Sequence, residues 1–187
     1  MTLPSLYILG PVWGLSELCL NLLKHSKSNA ISKDRNSIRL IWMVILASGG
    51  IAVFLSFHLR AWALPWRSQF YIAGFCLFAS GLILRWYSII YLGRYFTVNV
   101  AIAADHQLIE SGPYRFIRHP SYTGGLAMLL GFSLCIGNLA SLLVMVVPCV
   151  GVYLWRIHVE EEALVQAFGG RYRDYMKRTK RLIPFVF

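Results

Sequence analysis

"YTGGLAMLLGFSLCIGNLASLLVMVVPCVGVYLW" (Tyr122–Trp155) runs for 34 residues without a charged side chain and is interrupted only by Gly137–Asn138. About 20 residues suffice for a helix to cross the hydrocarbon of a bilayer, so one helix of this length would overshoot it. Gly-Asn is a turn signal. The stretch therefore predicts a tight hairpin of two helices of about 15 residues each, crossing at a tilt or incompletely. Three more apolar runs precede it, at about Leu3–Leu23, Leu40–Leu59 and Phe70–Leu92, each near the ~20 residues of a span. The first is too long for a signal-peptide core and has neither a basic segment ahead of it nor a small-residue cleavage site behind it, although Glu17 interrupts it.

The composition agrees. Of 187 residues, 57% are hydrophobic and 14% charged, against about half and a quarter in soluble domains; the mean hydropathy is +0.58. The reading is an all-α integral membrane protein with about five transmembrane helices, the last two forming the hairpin. From Arg156 the chain turns polar, with Leu164, Phe168, Tyr172 and Tyr175 at helical spacing. This predicts a cytoplasmic amphipathic C-terminal helix at the membrane surface, bent or interrupted at Gly169–Gly170. No internal repeat or linker divides the chain. It is expected to be one membrane domain, with three helices in residues 1–92 and the chemistry in residues 93–187.

The net charge is +10. Its basic residues flank the apolar runs, which suits anionic lipid rather than nucleic acid. Fifteen of the 18 Lys and Arg fall in the Lys24–Arg39 connector, the Gly93–Ser121 segment and the tail from Arg156, while Arg60 and Arg67 lie on the other side. The positive-inside rule then gives an outside N-terminus, a cytoplasmic C-terminus and a multi-pass protein with its polar motifs facing the cytoplasm. The four cysteines, Cys19, Cys76, Cys135 and Cys149, stand singly in apolar runs. Neither a metal site nor a disulfide framework is indicated, and all four are expected to be buried packing residues. There is no G-x-G-x-x-G after a strand, no P-loop and no H-E-x-x-H. "ASGG" (Ala47–Gly50) reads as a close-packing helix segment.

Polar residues concentrate just before the hairpin, in "GPYRFIRHPSYTGG" (Gly112–Gly125). Pro120 restricts His119 to extended backbone, stiffening the loop where Ser121 and Tyr122 start a helix. Such a helix N-terminus offers amide donors to an anionic or polar ligand, or else is simply a helix start with interfacial tyrosines and snorkelling arginines. His106 in "DHQLIESGPY" is a solvated loop histidine unless the fold carries it to His119. Arg156 and Glu160 lie four apart on one helical face. They either pair with each other, or hold an anionic substrate and a cationic or hydroxyl-rich cofactor. At least one of Glu160–Glu162 is expected on a solvated face. Arg85 and Glu17, charges within apolar runs, each imply a site or a buried pair.

In this order, "HQLIESGPYRFIRHPSYTGG", a helical hairpin and "RIHVEEEALVQAFGGRYRDYMKRTKRLIPF" resemble the isoprenylcysteine carboxyl methyltransferases over about Leu92–Phe187. The short first half suggests a compact, prokaryotic member in the cytoplasmic membrane. The resemblance implies S-adenosylmethionine as cofactor, held by His106, Gln107, Leu108, Ile109, Tyr114, His119, Pro120, Ser121, Tyr122 and Glu160. It makes Arg156 the residue that meets a substrate carboxylate, and Arg156 with Glu160 the catalytic pair. The implied partners are membrane lipids and a lipophilic, prenylated substrate. Methylation of a phospholipid amine or another isoprenoid is the alternative within the class. An NADPH-dependent lipid reductase and a non-enzymatic membrane scaffold are the alternatives outside it.

Overall fold

A computed structural model of the chain describes residues 6–23, 35–96 and 107–187. Six α-helices follow in order: α1 (Leu6–Leu23), α2 (Arg35–His58), α3 (Arg67–Leu92), α4 (Pro120–Ile136), α5 (Leu139–Phe168) and α6 (Gly170–Arg178). Helices α1, α2, α3 and α5 are long and apolar enough to cross a membrane, whereas α4 has 17 residues, about 25 Å.

The hairpin forms where the Gly-Asn pair places it. Gly137 adopts φ +72° and closes α4, and the Asn138 side chain accepts from the Ser141 amide to start α5. The turn is docked, since Asn138 also donates to the Leu59 carbonyl at 2.9 Å and the Leu64 amide donates to Gly137 at 2.9 Å. This fixes the turn against the α2–α3 connection, at the end of the bundle that carries Arg60 and Arg67.

Close packing of α3 on α4 sets the rest of the geometry. A Cβ added at Gly81 would lie 2.6 Å from the Gly124 carbonyl oxygen, and one at Gly74 would lie 2.6 Å from that of Gly131. The two glycine pairs bring antiparallel backbones into contact, as small residues do between membrane helices. In the "ASGG" segment the close contact is made by Ser48, buried 3.5 Å from Cys149 of α5, while Gly49 and Gly50 meet nothing within 4 Å. Gly81→Ala is accordingly expected to push α3 off α4 at a cost of about 1–3 kcal/mol, and Gly49→Ala to be near neutral. Thermal unfolding of the two variants in detergent, compared with the parent, checks this.

Two expectations are corrected here. Cys135 and Cys149 are buried, but Cys19 and Cys76 are exposed, on faces of α1 and α3 that lipid rather than protein would cover. The polar tail does not begin a new helix at Arg156 either. No glycine or proline follows Trp155 until Gly169, so α5 continues through the charged residues to Phe168 and the chain turns at Gly169. The stripe expected to face the membrane is turned onto the protein at Tyr172 and Tyr175, both buried.

Because α4 is short, its neighbours overrun it. Arg85 of α3 donates to the Ser121 carbonyl in the first turn of α4 at 3.1 Å, and α3 then continues seven residues to Leu92, about 10 Å. Helix α5 likewise continues past Glu160, which Tyr122 contacts, to Phe168. The recess left above α4 holds the loop from residue 107 to 119, α6 and the segment after it.

Candidate active site

A cleft opens in this recess, with an empty volume of about 1410 Å3 counting its open mouth. Its lining is mixed: Trp13, Leu20, Ile41, Trp42 and Ile45 of α1 and α2 contribute apolar surface, and His119, Tyr122, Arg156, Glu160 and Tyr172 contribute polar groups.

At the centre, Arg156 Nε donates to the Tyr122 hydroxyl at 3.3 Å, and Tyr122 donates to Glu160 Oε2 at 2.7 Å. A buried guanidinium, a phenol and a carboxylate thus stand in a row, with Arg156 only 2% exposed. The one-turn spacing of Arg156 and Glu160 leaves a gap that the Tyr122 hydroxyl fills.

Glu161, one position on, faces a different set of partners. It accepts from Arg118 Nε at 2.8 Å and Arg181 Nε at 2.9 Å, and His119 Nε2 lies 3.3 Å away. Arg118 further donates to the carbonyls of Met176 and Thr179. The backbone joins in, as the Arg118 amide donates to Lys180 at 2.8 Å and the His119 amide to Arg181 at 3.0 Å. The His119 amide is therefore spent on the tail rather than offered to a ligand. Glu162, in contrast, is exposed and meets only His158 among the ion pairs of the described residues.

The loop ahead of α4 is tied at several further points. Glu110 meets Arg178 at 2.7 Å and Arg171 at 3.4 Å. Tyr175 donates to the Tyr114 carbonyl at 2.6 Å, and Tyr114 donates to Ser88 at 3.2 Å. Burial pushes the pKa of Tyr114 and of Tyr175 upward, so both phenols stay protonated donors. Gly112 has φ +58° and lies against the Tyr91 ring where a Cβ would collide; only glycine suits both conditions.

Arg85 and Glu17 are a buried pair. Arg85 Nε and Nη2 donate to the two Glu17 oxygens at 2.6 and 2.7 Å, the bidentate geometry that best offsets the desolvation of both charges. The pair also borders the cleft.

Of the residues singled out from the sequence, Gln107, Leu108, Ile109, Tyr114, His119, Ser121, Tyr122, Arg156 and Glu160 all line this cleft. Pro120 is buried at the start of α4 without lining it, and His106 lies outside the described residues. The cleft also gathers Glu17, Arg85, Arg118, Tyr172 and Tyr175. The first two carried a signal, as costly charges in apolar runs. The tyrosines carried none, because their spacing reads equally as a lipid-facing stripe.

The model of the phospholipid methyltransferase family matches residues 69–171, from α3 to the start of α6. Fold and match together define a membrane-embedded methyltransferase class. Two Arabidopsis thaliana proteins, protein-S-isoprenylcysteine O-methyltransferases B and A, are 32% and 31% identical over 185 residues, covering 97% of this chain and 87% of theirs. A solved structure of the eukaryotic intramembrane Ras methyltransferase ICMT (isoprenylcysteine carboxyl methyltransferase) superposes with a TM-score of 0.66 at 26% identity, over 82% of this chain and 55% of that one. The chain belongs to the isoprenylcysteine carboxyl methyltransferase family. It is an integral membrane methyltransferase.

Proposed function

We propose that this protein methylates the terminal carboxylate of an isoprenylated cysteine, or of a similar lipophilic acid, using S-adenosylmethionine at the cytoplasmic face of the cytoplasmic membrane. The observation that carries the reading is the Arg156–Tyr122–Glu160 row lining the same cleft as an apolar wall from α1 and α2. The relatives are named for this substrate. The excess of Lys and Arg at the cleft end of the bundle supports the orientation.

The residues fit the cofactor, since the cleft holds a carboxylate at Glu160 and a buried hydroxyl at Tyr172 that has no hydrogen-bond partner among the described residues. Gln107, Leu108, Ile109, Tyr114, His119, Ser121, Tyr122 and Glu160 would hold it. When bound, S-adenosylmethionine supplies a methyl group on a positively charged sulfur, which an already ionised carboxylate (pKa about 3.5) accepts without a general base. What remains for the protein is binding, alignment and exclusion of water. Arg156 offsets the cost of drawing the carboxylate out of water and orients it. Tyr122 fixes the guanidinium relative to Glu160. The wall of Trp13, Leu20, Ile41, Trp42 and Ile45 receives the lipid chain from the bilayer side.

The alternatives fare worse on the same geometry. An amine acceptor would first have to lose a proton to a base, a step that a carboxylate acceptor does not need. A phosphorylated dinucleotide would need spare arginines. Arg118 and Arg181 are committed to Glu161, and Arg85 to Glu17.

Calorimetric titration of the detergent-purified protein with S-adenosylhomocysteine, with NADPH alongside, tests the reading. Saturable binding of S-adenosylhomocysteine is expected, weakened roughly tenfold or more in Glu160→Ala through loss of a charged hydrogen-bond partner. Methyl transfer to farnesylcysteine rather than phosphatidylethanolamine should follow. Binding of NADPH alone, or of neither, would overturn it.

A further inference from the structure

Tyr172 is 1% exposed, and its hydroxyl is the one buried side-chain polar atom among the described residues that lacks a hydrogen-bond partner. The residue lines the cleft. Three other tyrosines of the same cleft, Tyr114, Tyr122 and Tyr175, each donate to a carbonyl or carboxylate of the protein. Local packing does not require the oxygen, because phenylalanine would keep the ring contact that Tyr172 makes with Tyr175 at 5.8 Å between centroids. A buried hydroxyl left unpaired is a cost that the empty protein bears. Burial, with the carboxylates of Glu161 and Glu160 nearby, pushes its pKa upward, so it stays protonated. It is a donor in waiting in a cleft that also presents an acceptor, Glu160.

We propose that the Tyr172 hydroxyl is a binding group for the cofactor, donating a hydrogen bond to an acceptor atom of S-adenosylmethionine while Glu160 accepts from a neighbouring donor of the same molecule. The chemistry this pair recognises is a group carrying donor and acceptor side by side, as the ribose diol and the amino-acid end both do. The inference rests on the proposed cofactor and adds a residue, on the last helix, to those that hold it.

Tyr172→Phe removes the oxygen and little else. S-adenosylhomocysteine affinity is expected to fall roughly tenfold, while the melting temperature of the ligand-free protein stays level or rises, since an unpaired polar group has gone. Affinity falls without a loss of stability, which a structural role would not produce. Titration with 5′-methylthioadenosine, which lacks the amino-acid end, locates the contact. A penalty that persists puts it on the nucleoside, and one that vanishes puts it on the amino acid. Unchanged S-adenosylhomocysteine affinity in Tyr172→Phe, with or without a lower melting temperature, overturns the inference alone. Absence of binding in the parent protein overturns the cofactor reading and this inference with it.

Discussion

Replacing Arg156 with alanine is expected to lower kcat/KM for methylation of farnesylcysteine by roughly two to three orders of magnitude. The guanidinium is buried and stands in the cleft beside Tyr122. Without it, a substrate carboxylate would enter an apolar site as an uncompensated charge, at about 3–5 kcal/mol, and each ~1.4 kcal/mol is a factor of ten in rate. S-adenosylhomocysteine binding should be largely kept, because the loss falls on the acceptor rather than the cofactor. Arg156→Lys should recover only part of the activity, as an ammonium cannot present the planar fork that meets a carboxylate at two points. Steady-state kinetics and calorimetry on the two variants separate these effects. Activity within a few-fold of the parent in Arg156→Ala would remove this residue from the substrate site.

Glu161→Ala should have the largest effect on stability. Its carboxylate is only 4% exposed and neutralises Arg118, itself 7% exposed, together with Arg181. Truncating it leaves a buried guanidinium without its counter-charge, and breaking such a pair costs about 3–5 kcal/mol. The damage would also reach the cleft, since His119 loses the partner of its Nε2. Glu162→Ala is the internal control. That side chain is 62% exposed and, among the described residues, forms an ion pair only with the equally exposed His158, so its loss should stay within about 0.5 kcal/mol. Thermal unfolding of both variants in one detergent decides the matter; equal midpoints would mean that the Glu161 cluster does not hold the loop.

The hairpin was legible because a Gly-Asn pair interrupts an otherwise uniform apolar run and because helix length is bounded by the bilayer. The start of the surface helix was not. A change from apolar to charged residues marks where the environment changes, not where the backbone bends, and α5 runs on through Arg156. The bend falls at Gly169–Gly170, where the glycine pair places it. Arg156 and Glu160 could be placed on one face from their spacing alone. That a tyrosine from another helix stands between them could not, nor could the pairing of Glu17 with Arg85, 68 positions away. Glu160 and Glu161 are about 100° apart on a helix, so both can point inward to different partners, as they do. Tyr172 and Tyr175 show the remaining limit, since periodicity finds a buried face without saying whether lipid or protein buries it.

The anchoring of Arg118 and His119 to Lys180 and Arg181 has a consequence for biogenesis. The loop that opens α4 and the segment that secures it are separated by some sixty residues of translation. At about 5–20 residues per second, roughly 3–12 s pass between synthesis of the two. During that interval the nascent chain can place α4 and α5, with Glu161, in the bilayer while the Arg118 guanidinium still lacks the Thr179 carbonyl. The order of synthesis thus allows the helices to insert first and the pocket to mature afterwards, when the tail emerges and folds back onto the loop.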